Sequence, residues 1–191
     1  MNVLMELMEL GLGLSPHYFY KSFEYPGTLL RIASYPPPSG GSDGGDATAQ
    51  LRYGEHTDYD GFTILQRDAT AEGADEGLEI QLPSGEWVAV PSLPHTLTIN
   101  VGDLFARWTN DRWRATPHRV AAARGNAAAT GRARLSIVYF TGPNPETTIS
   151  CLPSAKCRRT PPQYEPIKAR EHVEAKMSAA TAAAREGGQL I

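Results

Sequence analysis

Apolar positions recur at helical spacing only near the two ends of the chain. At the start, Val3, Leu4, Leu7, Met8 and Leu10 follow steps of three and four, and Gly11, Gly13 and Pro16 come next as stop signals, so a leading amphipathic helix is predicted within residues 2–13. At the other end, Ile167 to Arg185 is rich in helix formers with an apolar side made mostly of Ala, which predicts a loosely held terminal helix within a tail spanning 167–191. Between these ends the period shortens. Thr28 to Tyr35, the stretch around His56, Gly61 to Gln66, Leu78 to Leu82, Glu86 to Val90, Thr96 to Val101, Arg114 to Ala121 and Arg134 to Phe140 are short β-like runs separated by turn residues. Strands at that spacing without intervening helical patterns predict an all-β sandwich or barrel, not βαβ units. Residues 1–166 are therefore read as one mainly β domain, and the Gly, Ser and Asp stretch within 36–50 as a mobile loop.

Composition narrows the class. Gly (18) and Pro (15) exceed their usual combined share of about 12%, which argues against a helical bundle. A net charge of −3 with scattered Lys and Arg offers no basic stripe, so no nucleic-acid partner is expected. Glu6 and Glu9 interrupt the opening apolar stretch, which has no cationic leader, so neither a signal peptide nor a membrane partner is expected and a cytoplasmic location is the default. Cys151 and Cys157 lack the second pair that a structural zinc site needs and are read as reduced thiols.

Five histidines are available for chemistry. His17 and His95 each follow a proline in turn-like sequence, and His172 is assigned to the exposed side of the terminal helix. His56 differs, because Asp58 follows two residues later in HTDYDGFTILQ, and residues two apart on an extended strand project to one side. His118, in the later β-like run TPHRV, is the best third ligand. Two imidazoles and one carboxylate on one face of an octahedral ion leave the opposite face open, the arrangement of non-haem Fe(II) oxygenases. Arg134 and Ser136 form a second i, i+2 pair in RARLSIVYF, able to give three hydrogen bonds to one carboxylate of a dicarboxylate. Trp87, Trp108 and Trp113 are read as core or rim side chains, and Tyr59, Phe62 and Phe105 as residues of a pocket rim.

In order along the chain stand LLRIASYPPP, HTDYDGFTILQ, GEWVAVP, INVGDLFARWTNDRWRATPHRV, RARLSIVYF, PNPETTI and PPQYEPI. With these segments the chain resembles the catalytic core of the isopenicillin N synthase-like family of Fe(II) and 2-oxoglutarate dependent dioxygenases, from the first helix to about Ile167. The resemblance implies a double-stranded β-helix, or jelly roll, with iron held by His56, Asp58 and His118. It implies that Arg134 and Ser136 bind the distal carboxylate of 2-oxoglutarate and that Tyr35, of the Tyr-Pro motif, adds a hydrogen bond there. The implied reaction is hydroxylation or desaturation of a small organic substrate with dioxygen, releasing succinate and CO2, with ascorbate as an accessory reductant. Ala33 stands where many plant members carry an asparagine. The family's N-terminal region, which helps close the substrate pocket, is expected to be absent. A same-fold iron oxidase that needs no keto acid and a non-catalytic metal-binding domain are the alternatives; the sequence leaves oligomeric state open.

Overall fold

The computed structural model describes residues 2–36, 51–67, 77–121, 133–154 and 161–186. Of the loop read within 36–50, all but Pro36 lies outside these residues, as does Cys157. Ten strands run through the described chain: β1 (Gly27–Tyr35), β2 (Leu51–His56), β3 (Phe62–Arg67), β4 (Leu78–Gln81), β5 (Trp87–Ala89), β6 (Thr98–Val101), β7 (His118–Ala121), β8 (Arg134–Gly142), β9 (Thr148–Ile149) and β10 (Ile167–Lys168). Helices α1 (Asn2–Leu12), α2 (Asp103–Trp108) and α3 (Ala169–Glu186) accompany them.

Two antiparallel four-stranded sheets, ordered β1-β8-β3-β6 and β2-β7-β4-β5, enclose a cavity between their inner faces. This is the jelly roll that the family resemblance implies, within the sandwich-or-barrel class that the strand pattern predicts. Period-two alternation sets the inner wall: Arg31, Ala33 and Tyr35 of β1, Thr63, Leu65 and Arg67 of β3, and Arg134, Ser136, Val138 and Phe140 of β8 all line that cavity. The intervening Leu30, Ile32 and Leu135 are exposed on the opposite face.

The core lies on the far side of the first sheet, where Leu12, Phe19, Phe62, Leu104, Phe105, Trp108, Ile149 and Leu152 are fully or almost fully buried together. Each large apolar side chain removed from water there stabilises the fold by about 1.5–3 kcal/mol, and this cluster pins α2 against β3. Phe62 and Phe105 are thus 1% and 0% exposed and belong to the core, not to a pocket rim. Trp108 and Trp113 also pack there, whereas the Trp87 ring carries the Arg119 guanidinium at 4.1 Å.

Both terminal helices depart from the sequence reading. Helix α1 buries Met5, Met8, Glu9 and Leu12 and exposes Val3, Leu7 and Leu10, so the most apolar side is not the one that packs. The reason is Glu9, whose carboxylate accepts the backbone N–H groups of His17 (2.9 Å) and Phe19 (3.0 Å) and so fixes the turn that delivers Phe19 to the core. Gly11 continues the helix, and Gly13, at φ 68°, ends it. Helix α3 is docked more firmly than its Ala-rich side suggests: Ala169 is 3% exposed, Val173 packs on the core, and Lys176 pairs with Asp103 at 2.8 Å. His172 is half-buried against α2, not exposed; burial lowers its pKa, opposed by Asp103 and assisted by Lys176 and Arg107.

Candidate metal centre

His56 closes β2 and His118 opens β7, and the two are direct partners in the antiparallel register. Their rings lie 4.2 Å apart between centroids. Each ring is oriented in the same way: His56 Nδ1 lies 2.9 Å from the Gly54 carbonyl and His118 Nδ1 3.0 Å from that of Thr116. A carbonyl only accepts, so each Nδ1 carries the proton and each Nε2 presents a lone pair. Both Nε2 atoms face Asp58 Oδ1, at 3.7 and 3.6 Å.

Asp58 lies beyond the end of β2, so the pair is not two same-side residues of one strand, as its spacing suggests. A loop holds it instead. Its backbone carbonyl accepts the Asp103 N–H at 2.8 Å, and the Asp60 carbonyl accepts that of Leu104 at 3.2 Å, so the first turn of α2 grips the loop. Gly102 is required for that close approach, because a Cβ there would overlap the Asp60 carbonyl oxygen. The Thr57 hydroxyl adds a bond to Asp103 Oδ2 at 3.2 Å. Asp60, half-buried beside Gly142, has its carboxyl pushed up to about 6, first by loss of solvation and further by the Asp58 charge.

The Asp58 side chain is 4% exposed, and among the described residues no Lys or Arg pairs with it. Its Oδ2 accepts two hydrogen bonds, from the Thr63 hydroxyl at 2.5 Å and from Asn100 Nδ2 at 2.6 Å. Oδ1 is thereby left for the histidines. Three ligand atoms, one from each residue, lie within 4.8 Å of one another. A buried carboxylate without a cation facing two imidazole lone pairs is costly unless a positive ion sits among them. Two neutral nitrogens and one anionic oxygen suit a divalent first-row metal with open positions, Fe(II) included. Burial, followed by the neighbouring His118, holds the His56 pKa below its ordinary value, which favours the neutral, metal-ready ring.

Thr63 and Asn100 escape the sequence reading. The available signal is periodicity: each is a polar residue at an inward position of a strand, between apolar Phe62 and Ile64 or Ile99 and Val101. The turn after α2 also has a legible cause. Asn110 and Asp111 take left-handed φ values of 55° and 59°, which short polar side chains tolerate, and the Asn110 carboxamide oxygen accepts the Gln163 N–H at 2.8 Å. That reversal leads the chain into β7 and His118.

Arg134 and Ser136 sit on β8, each 9% exposed, on the wall of the same cavity as the three candidate ligands. Tyr35 lies directly across from Arg134 in the β1–β8 pairing, and the guanidinium carbon stands 4.9 Å above its ring. Ala33 is the register partner of Ser136, so a small side chain lies beside the hydroxyl. The cavity, of about 100 Å³, is otherwise walled mainly by apolar side chains such as Leu65, Leu78, Ile80 and Val120.

A jelly roll that converges two histidines and an aspartate on a cavity with a buried Arg-Ser pair defines a class of non-haem metal oxygenases. The family model of the 2OG-Fe(II) oxygenase superfamily matches residues 26–143, and the chain belongs to that superfamily. It is 35% identical to validamycin A dioxygenase of Streptomyces hygroscopicus subsp. limoneus over 148 residues, which are 78% of this chain and 38% of that protein. Gibberellin 2-beta-dioxygenase 2 of Oryza sativa subsp. japonica is 37% identical over 150 residues, 72% of this chain and 38% of the relative. Among solved structures, a full-length Neurospora crassa protein in complex with alpha-KG superposes with a TM-score of 0.78 at 28% identity, covering 92% of this chain and 52% of that one. The chain thus spans about half, or less, of the length of the proteins it matches.

Proposed function

We propose that the chain carries the iron and 2-oxoglutarate site of an oxygenase that oxidises a small organic substrate, with release of succinate and CO2. His56, Asp58 and His118 hold Fe(II); Arg134 and Ser136, with Tyr35 beside them, receive the distal carboxylate of the keto acid. The supporting observation is the convergence of the His–Asp–His donors and the buried Arg134–Ser136 pair on one apolar cavity. The chemistry supplied by Fe(II) when bound is activation of dioxygen, with electrons drawn from decarboxylation of 2-oxoglutarate and from a substrate C–H bond.

The chain's own residues prepare that chemistry. The Gly54 and Thr116 carbonyls each face an Nδ1 atom, so both rings are held with Nε2 aimed at the metal position. Thr63 and Asn100 occupy one oxygen of Asp58 and leave a single anionic ligand atom. Arg134 neutralises the distal carboxylate in a nearly dry wall, where a charge-assisted bond is stronger than in water. The Arg134–Ser136 pair also favours this reading over an iron oxidase that uses no keto acid. A cytoplasmic setting with dioxygen and a small molecule as the partners remains our reading of the sequence.

Anaerobic titration with Fe(II) and then 2-oxoglutarate tests the proposal. A weak visible charge-transfer band is expected in the wild-type chain and lost in His56→Ala and Asp58→Ala; a wild-type chain without the band would overturn it.

A further inference from the structure

Three arginines line the cavity: Arg31, Arg67 and Arg134. Arg67 donates to the carbonyls of Val90 (2.9 Å) and Pro91 (2.8 Å), so its guanidinium ties β3 to the chain after β5. Arg134 lies over Tyr35 at the end of β1. Arg31 stands apart from both. It is exposed, lies four residues along β1 from Tyr35, hence about 13 Å away at the rise of a strand, and among the described residues no hydrogen bond or ion pair holds it.

Its position is nevertheless fixed. The Arg31 guanidinium carbon lies 4.9 Å from the centre of the Tyr53 ring, and that ring meets the His56 ring edge-on at 4.6 Å. A cation resting on an aromatic face keeps its N–H donors free in the plane of the guanidinium. Register places Val138 across from Arg31 and Phe140 across from Leu29, and both β8 side chains face the cavity. One uncommitted guanidinium therefore crowns an apolar wall, one aromatic ring away from a candidate metal ligand.

We infer that Arg31 recognises an anionic group on the compound to be oxidised: the substrate is a small organic acid whose carboxylate pairs with Arg31 while its apolar body lies along Val138 and Phe140. The inference rests on the oxygenase reading above and names the substrate class for the same cavity. It assigns the two guanidinium groups different acids, Arg134 the keto acid and Arg31 the substrate, because Arg134 rests over Tyr35 and Arg31 over Tyr53 beside His56. A guanidinium suits a planar carboxylate, with which it makes two parallel bonds, and an uncharged amide of the same shape forfeits that charge-assisted pair.

The experiment uses the chain loaded with Mn(II) and saturating 2-oxoglutarate, which fills the Arg134 end, and two isosteric probes, phenylacetate and phenylacetamide. Binding is read from the Mn(II)-enhanced proton relaxation of each probe, which also reports its approach to the metal. The acid is expected to bind about tenfold more tightly than the amide. Arg31→Met is expected to erase that preference with 2-oxoglutarate affinity retained, and Arg31→Lys to restore part of it. Equal binding of acid and amide, or a preference that survives in Arg31→Met, overturns the assignment of Arg31 and leaves the oxygenase reading standing. Failure of the wild-type chain to bind Mn(II) and 2-oxoglutarate overturns both.

Discussion

Asn100 donates its Nδ2 hydrogen to Oδ2 of Asp58 at 2.6 Å, so a side chain on β6 decides which carboxylate oxygen faces the two histidines. Removing it leaves Thr63 as the sole hydrogen-bond donor to that oxygen among the described residues and frees the carboxylate to rotate. Asn100→Ala should weaken Mn(II) binding by about 10–100-fold, as is usual when a partner of a metal ligand is lost, with little change in thermal midpoint. Thr63→Val should act in the same direction, and the double variant should fall short of the sum because both donors share one acceptor. Titration followed by electron paramagnetic resonance of free Mn(II) measures each effect.

Gly102 lies against the backbone that carries Asp58 and Asp60. Gly102→Ala must displace that loop or the start of α2, at a cost of about 1–3 kcal/mol for an overpacked contact. Metal affinity should fall with stability here, because the Asp103 N–H bond to the Asp58 carbonyl is among the contacts disturbed. Chemical denaturation and Mn(II) titration of the same sample check both parts.

Arg134→Met should weaken 2-oxoglutarate binding to the Mn(II)-loaded chain by about 2–5 kcal/mol, the scale for removing one partner of a buried charge pair. Ser136→Ala, losing a neutral donor, should cost nearer ~1 kcal/mol. Calorimetric titration separates them, and metal affinity unchanged in both would assign the loss to the keto acid alone.

His172 gives a pH dependence of stability. Burial lowers its folded pKa, so the unfolded chain takes up a proton near the ordinary value of 6.5 before the folded chain does. The unfolded state then binds more protons, and its contribution to stability is lost as pH falls through 6.5 toward the lower folded value. His172→Gln should therefore flatten the acid side of a plot of melting temperature against pH. An unchanged acid limb would mean that His172 stays as solvated as in the unfolded chain.

Lys176 and Asp103 join α3 to α2, whose first turn grips the loop that carries Asp58, but the lysine side chain is 42% exposed. Lys176→Ala should cost no more than about 1 kcal/mol, less at high salt, as measured by thermal unfolding across ionic strengths.

Residues that act through local spacing can be read directly. The β-like runs and the alternation of Arg134 and Ser136 depend on neighbours in the chain, and strands occur within those runs, although the one read from Arg114 begins only at His118. Helix α2 escapes such a reading because six residues, Asp103–Trp108, are too few for a period to emerge, and its stability comes from Leu104, Phe105 and Trp108 entering a core assembled from distant elements. The packing side of α1 is misjudged for a related reason: apolar periodicity cannot know that a carboxylate, Glu9, is to be buried as the acceptor of two backbone N–H groups.

By itself the sequence determined the strand-rich domain, the His56, Asp58 and His118 donor types, and the Arg134–Ser136 pair, because side-chain chemistry and period-two alternation are local properties. Only the tertiary structure decided that His56 and His118, far apart in the chain, are register partners, that Asn100 and Thr63 turn one oxygen of Asp58 toward them, and that Arg31 stands free over Tyr53. Those relationships cross from strand to strand or sheet to sheet, and pairing between strands is fixed by the burial of whole faces, which no short window of residues contains.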